Sequence, residues 1–194
     1  MNKYKELQIR TIRNFNTLQD FHVFTGYSYD RYEKMVKAGN IKESVYNVRT
    51  HNSVKEVELA KILLEYLDED LPKIVIYQLV SYFDDFFADY LKFVLLKGNI
   101  NITQNFTDLR KKINISRINS NDEKRIIELR ESRNVIAHRS EIVDKDYIKN
   151  VGSFARVTLN SVLPFERPYV YDSADFLKDL VNNLTDAAMK ANLS

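Results

Sequence analysis

The chain has 194 residues, 44% of them apolar and 12% aromatic, enough for one folded domain with a sizeable core. It contains no cysteine, which excludes disulfide staples and cysteine-ligated metal sites. Its 29 basic and 27 acidic residues leave a formal charge of +2, so any nucleic-acid contact must come from a local patch rather than from an overall basic field.

With four glycines and three prolines the chain has few breakers, and long helices are the natural expectation. No repeat and no Ser/Gly/Pro-rich linker divides it. The expectation is a single all-α domain over 1–194, with 1–70 as a helical extension and 71–194 as the core. The N-terminal MNKYKELQIRTIRNF lacks the apolar run of a signal peptide. No stretch approaches the roughly 18 apolar residues of a membrane span. A cytoplasmic protein without membrane contact is therefore expected, and the glycosylation-type triplets at Asn101, Asn105, Asn114 and Asn183 are read as chance in an Asn-rich chain.

The first helix is expected over about 3–24, where Leu7, Ile12, Phe15, Leu18 and Phe21 recur at loosely helical spacing. A shorter one follows over about 29–38 and stops at Gly39. Ser53 and Glu56 form an S-x-x-E capping box, after which Val57, Ile62, Leu63, Tyr66 and Leu67 line one face. Pro72 sits at a first helical position and opens PKIVIYQLVSYFDDFFADYLKFVLLKG, a long apolar helix closing at Gly98. Its polar residues Gln78, Ser81, Asp85, Asp89 and Lys92 share one narrow sector, so this helix is central and nearly surrounded. A piece over about 104–113 comes next. Ser120 and Glu123 form a second capping box that starts a helix over about 121–138. Ile148, Val151, Ala155, Leu159 and Val162 then suggest a further helix, weakened by Gly152, with a short strand over 157–163 as the lesser reading. Pro164 and Pro168 bracket a loop. Asp172 caps a last helix whose stripe is Leu177, Leu180, Val181, Leu184, Ala187, Ala188 and Ala191. The sum is an all-α helical bundle with a long central helix.

The stretch RESRNVIAHR, residues 130–139, is the one that points to chemistry. On a wheel at about 100° per residue with Ile126 at 0°, Leu129 falls at about 300°, Ile136 at about 280° and Ala137 at about 20°. Arg133 falls at about 340°, inside that apolar arc, and Asn134 and His138 lie at its edge at about 80° and 120°. A guanidinium buried without partners costs several kcal/mol. Either it pairs with a carboxylate inside the bundle, for which Asp84 and Asp85 on the central helix are candidates, or the arc meets a second subunit or an anionic ligand there. Asn134 and His138 are an i, i+4 pair and so are surface neighbours.

Arg133, Asn134, three residues and His138 give R-N-x-x-x-H, which resembles the Rx4–6H motif of the HEPN superfamily (higher eukaryotes and prokaryotes nucleotide-binding). The context is similar too: a long apolar helix before the motif, the motif near the end of a late helix, and a C-terminal amphipathic helix. The resemblance covers about 70–194 and is to the HEPN groups of bacterial defence and toxin systems. It implies a HEPN-like bundle that dimerises through the motif helices. It further implies a metal-independent endoribonuclease without a cofactor, in which Arg133, Asn134 and His138 are catalytic. RNA brings its own nucleophile, the 2′-OH; a histidine can move the protons, and a guanidinium matches the anionic phosphorane. Homodimerisation, an RNA substrate and an antitoxin or defence-system partner follow from the same resemblance. Some HEPN toxins carry a modified tyrosine two residues after the histidine; this chain has Ser140 there, so that regulation is not expected.

Each signal has a plainer reading. Arg133 can be a structural ion-pair partner, His138 a helix-end residue favoured by the dipole, and Asn134 a surface amide. His22 and His51 are read as structural or solvent-facing. Asp84, Asp85 and Asp89 read first as a solvated stripe. Arg110, Lys111, Lys112, Arg117 and Arg139, with Lys124 and Arg125 nearby, are either RNA-phosphate contacts or an ordinary charged surface. Two other functions stay open: a non-catalytic HEPN-type module binding a protein or nucleotide, and a helical scaffold without a nucleic-acid role.

Overall fold

A computed structural model describes residues 2–39, 45–47, 52–54 and 56–191, with 45–60 described by backbone alone. His51 and the Ser53–Glu56 capping box therefore lie outside the described side chains. Among the described residues the chain forms seven α-helices: α1 (Lys3–Lys37), α2 (Glu56–Glu65), α3 (Leu71–Leu95), α4 (Ile102–Lys112), α5 (Ser120–His138), α6 (Lys145–Val151) and α7 (Arg167–Lys190). A short antiparallel ribbon, β1 (Val45–Asn47) with β2 (Asn52–Val54), sits between α1 and α2. No described helix is long and apolar enough to cross a membrane.

The all-α expectation holds, and α3 is its centre. Two three-helix groups share it: α1–α3–α7 and α3–α4–α5. Leu71, Val75, Ile76, Leu79 and Phe87 are fully buried, because α3 meets neighbours on most of its circumference. Aromatic rings run along it, with Phe83 stacked on Phe87 at 5.5 Å and Phe87 on Phe106 of α4 at 5.4 Å. Buried Tyr90 donates its hydroxyl to the Leu184 carbonyl of α7 at 2.8 Å, so a polar tip inside the core is satisfied. Pro72 lies in the first turn of α3, but the helix does not open there: a π-helical turn, Tyr66–Asp70, joins α2 to α3 with Asp70 already in the right-handed helical region.

Several boundaries differ from expectation, each for a local reason. α1 runs unbroken through Gly26. A mid-helix glycine costs about 1 kcal/mol, and packing on both sides of it, His22 against Tyr171 and Tyr29 against the core, outweighs that. α3 stops at Leu95 rather than at Gly98, with Leu96 in the left-handed region as its cap. α5 is capped by Asn119 and Asp122, each side chain bonding the other's backbone N–H, so the Ser120–Glu123 box is one residue out of register. The helix expected through 162 ends at Val151, where Gly152 takes φ +60°. Beyond it Val143 and Leu163 donate to the Ser161 and Glu141 carbonyls, and Ile142 pairs with Val162 as an isolated bridge. The lesser, extended reading of that stretch is therefore the closer one, and Leu159 and Val162 are exposed. α7 begins at Arg167, with Pro168 in its first turn, so Asp172 lies inside the helix rather than capping it.

Candidate functional site

The wheel drawn from the sequence misplaces the buried face of α5. Its buried residues are Ile126, Glu128, Leu129, Ser132 and Val135, an arc centred about a quarter-turn from the one expected. Ala137 is exposed and Arg133 sits at the arc's edge with 22% of its side chain accessible. α5 thus carries polar groups on two faces, one inward and one outward.

The outward face holds the motif. Arg133 donates from Nε to Asn134 Oδ1 at 3.1 Å and from Nη2 to Asp84 Oδ2 on α3 at 3.3 Å. Arg130, one turn earlier, reaches the same carboxylate: its Nε lies 3.0 Å from Asp84 Oδ1, although the N–H is aimed at Oδ2. Oδ1 is therefore buried without a well-aimed hydrogen bond. Burial raises the Asp84 carboxyl above the usual carboxylate range, and the attraction of Arg130 and Arg133 offsets only part of that. Two guanidiniums share that one carboxylate beside Asn134, and Asp85 lies close enough for its negative charge to act on Asp84 as well. His138, in the last turn of α5, is exposed. The helix stops directly after it: Ser140 and Glu141 both take positive φ, at a cost of about 1–2 kcal/mol each. That turn is held by Lys73 of α3, whose Nζ lies 2.9 Å from Glu141. Of the two candidate carboxylates, Asp84 meets the motif and Asp85 is exposed.

The basic candidates are not gathered at the motif. Arg110 pairs with Glu123 at the start of α5; fifteen residues of helix then separate Glu123 from His138, a rise of about 22 Å. Lys111 and Lys112 are exposed at the end of α4, and Arg117 lies 4.0 Å from Asp186. Arg139 is next to His138 in sequence but turns inward, with Nε 2.9 Å from Asp144 and Nη1 3.4 Å from Glu131. Arg125 donates to the Asp172 carbonyl and covers the Phe176 ring at 4.3 Å. His22 is buried against Tyr171, as the structural reading has it; burial lowers its pKa, with Arg167 adding to that.

The inward face was not foreseen. Glu128 is only 4% exposed. Its Oε1 accepts from Arg156 Nε at 2.8 Å, Ser132 Oγ at 2.7 Å and Tyr147 OH at 3.2 Å, and its Oε2 accepts from Tyr169 OH at 2.8 Å. Arg156 also lies over the Tyr169 ring at 3.7 Å. Burial pushes the Tyr147 and Tyr169 hydroxyls up, with Glu128 adding to it, so both remain protonated donors. Four donors around one carboxylate satisfy it fully. The signal available in the sequence was the i, i+4 pair Glu128–Ser132, which on a helical wheel falls between Val135 and Leu129.

No family model, curated protein or solved structure matches the chain significantly. Among the described residues no three His, Cys, Asp or Glu side chains cluster as a metal site.

Proposed function

We propose that this chain is a HEPN-like endoribonuclease that works as a homodimer, with Arg133, Asn134 and His138 as its chemistry. One observation carries the reading: within about one and a half turns of α5 lie a half-buried, hydrogen-bonded guanidinium and an exposed imidazole, with Asn134 bonded to the first and one turn before the second. Asp84 and Asn134 hold the guanidinium in place, which is the preorganisation an anionic transition state rewards. The 2′-oxygen attacks the adjacent phosphorus as a base removes its proton. The bond to the 5′-oxygen breaks as an acid protonates that oxygen. The products are a 2′,3′-cyclic phosphate and a free 5′-hydroxyl. One histidine per chain covers one transfer; a second copy of the chain brings the other.

The surroundings suit such a pairing. Tyr77 and Ile74, on the Asp84 side of α3, are exposed, as are Ile142 and Val162 in the bridge beside Lys73–Glu141. Exposed apolar side chains on the motif's side of the bundle are what a symmetric interface buries. The toxin or defence setting rests on the resemblance alone.

A second reading has an observation of its own. The Arg133–Asp84 pair is also what a purely structural arginine makes, and it favours a non-catalytic interaction module. Cleavage separates the two. The purified protein should cut single-stranded RNA in the presence of EDTA, leave DNA intact, and scatter light as a dimer at micromolar concentration. A Tyr77→Glu variant should become monomeric and inactive together. A folded dimer that leaves RNA uncut selects the interaction module.

A further inference from the structure

We infer that the cleft between α4, α5 and the end of α6 holds one unpaired RNA base, next to the phosphate engaged at Arg133 and His138. This deepens the ribonuclease reading and rests on it for the phosphate. The cleft has a volume of about 320 Å3; Ile127 and Arg130 of α5 line it together with Glu131, and Asn101, Thr103 and Asn150 are also in its lining.

Continuity with the motif is the first argument. Ile127, Glu131, Asn134 and His138 are spaced i, i+4, i+7 and i+11, so they form one stripe along α5. Glu131 and His138 are separated by a rise of about 10 Å, which a neighbouring nucleotide spans. Arg130 ties the two places together, because it lines the cleft and shares Asp84 with Arg133.

Charge is the second argument, and it selects a base over a phosphate. Glu131 brings a carboxylate to the cleft beside Arg130, with Arg139 already paired to it, so the lining is close to neutral and suits an uncharged ring better than a phosphate. Its orientation is fixed by Asn150 Nδ2 at 2.9 Å on Oε1 and by Arg139 Nη1 at 3.4 Å on Oε2. An ionised carboxylate only accepts, so Asn150 must turn its nitrogen toward Glu131, leaving its carbonyl oxygen to face elsewhere. Asn101 is held the opposite way: its Oδ1 accepts from Gln104 N at 3.1 Å, which leaves its amide nitrogen as a donor. A fixed acceptor and a fixed donor, with the Arg130 guanidinium in the same lining, suit the polar edge and the π-face of an unpaired base.

Binding tests this apart from cleavage. His138→Ala protein, titrated with single-stranded oligoribonucleotides that differ at one position, should discriminate among bases there by roughly tenfold, the worth of one good base-edge pairing. Thr103→Trp, which fills the cleft, and Asn150→Ala, which removes its carboxamide, should each bring that discrimination below about threefold, with overall affinity within a few-fold. Both residues are exposed, and either variant alone decides the matter if the other does not fold. Absence of discrimination, or discrimination that survives both substitutions, overturns the inference. Discriminating binding together with a wild-type protein that leaves RNA uncut overturns the ribonuclease reading and leaves the pocket standing.

Discussion

The two polar faces of α5 use similar residue types for opposite ends. Inside, Glu128 sits among Arg156, Ser132, Tyr147 and Tyr169, and every charge and hydroxyl has a partner. Outside, Arg133 is held by Asn134 and Asp84, but Asp84 shares itself between two arginines and His138 is exposed. A saturated cluster has no capacity left for a substrate; it orders the backbone and specifies the packing. A partly exposed cluster at the surface retains hydrogen-bonding capacity, which the proposed RNA phosphate would use. The inner face also anchors what the outer face needs: through Arg156 it fastens the extended stretch that packs against the turn after His138.

The largest effect should come from the inner face. Glu128→Ala leaves Arg156 buried without its counter-charge and should cost about 3–5 kcal/mol of unfolding free energy, read by urea denaturation. A loss under about 1 kcal/mol would make the inner cluster ornamental and break the contrast. Tyr169→Phe should be milder. It deletes the 2.8 Å donor to Glu128 Oε2 and keeps the ring under Arg156, so the expected cost is about 1.5–3 kcal/mol, the usual worth of a bond to a charged group.

On the outer face Arg133→Ala should cost no more than about 1 kcal/mol, because the pair is partly exposed and Arg130 stays on Asp84. Cleavage by that variant should nevertheless collapse. Unfolding instead would move Arg133 into the same structural class as Glu128. Smaller still is a pH effect at His22. Its folded pKa is lowered by burial and by Arg167, so the unfolded chain takes up the proton more readily. The stability it confers is complete above the ordinary 6.5 and is lost as pH falls through the lowered value. His22→Phe, which keeps a ring against Tyr171, should flatten the acid side of the stability curve below pH 6.5; an unchanged slope would remove His22 from the account.

The central helix was legible because the 25 residues from Leu71 to Leu95 are mostly apolar and permit little else. The motif's place on α5 was legible too, since i, i+4 and i, i+5 spacings follow from helical geometry alone. Which face of α5 points inward was not. A wheel that counts only apolar residues follows Ile126, Ile136 and Ala137, whereas the fold buries Glu128 and Ser132 because Arg156, twenty-eight residues away in sequence, arrives to satisfy them. Gly152 ended a helix that the spacing of apolar residues would have carried on to Val162, because a positive φ there outweighs periodicity. The scatter of Arg110, Arg117 and Arg139 among four different carboxylates likewise depends on tertiary neighbours that no local pattern encodes.

The division of labour on α5 is tested most directly by one paired measurement on His138→Ala: single-turnover cleavage of single-stranded RNA, and unfolding free energy on the same sample. The account predicts a rate lower by about two to four orders of magnitude, the worth of a general acid or base, with stability within about 0.5 kcal/mol of wild type. Cleavage that persists at the wild-type rate in the folded variant would contradict it.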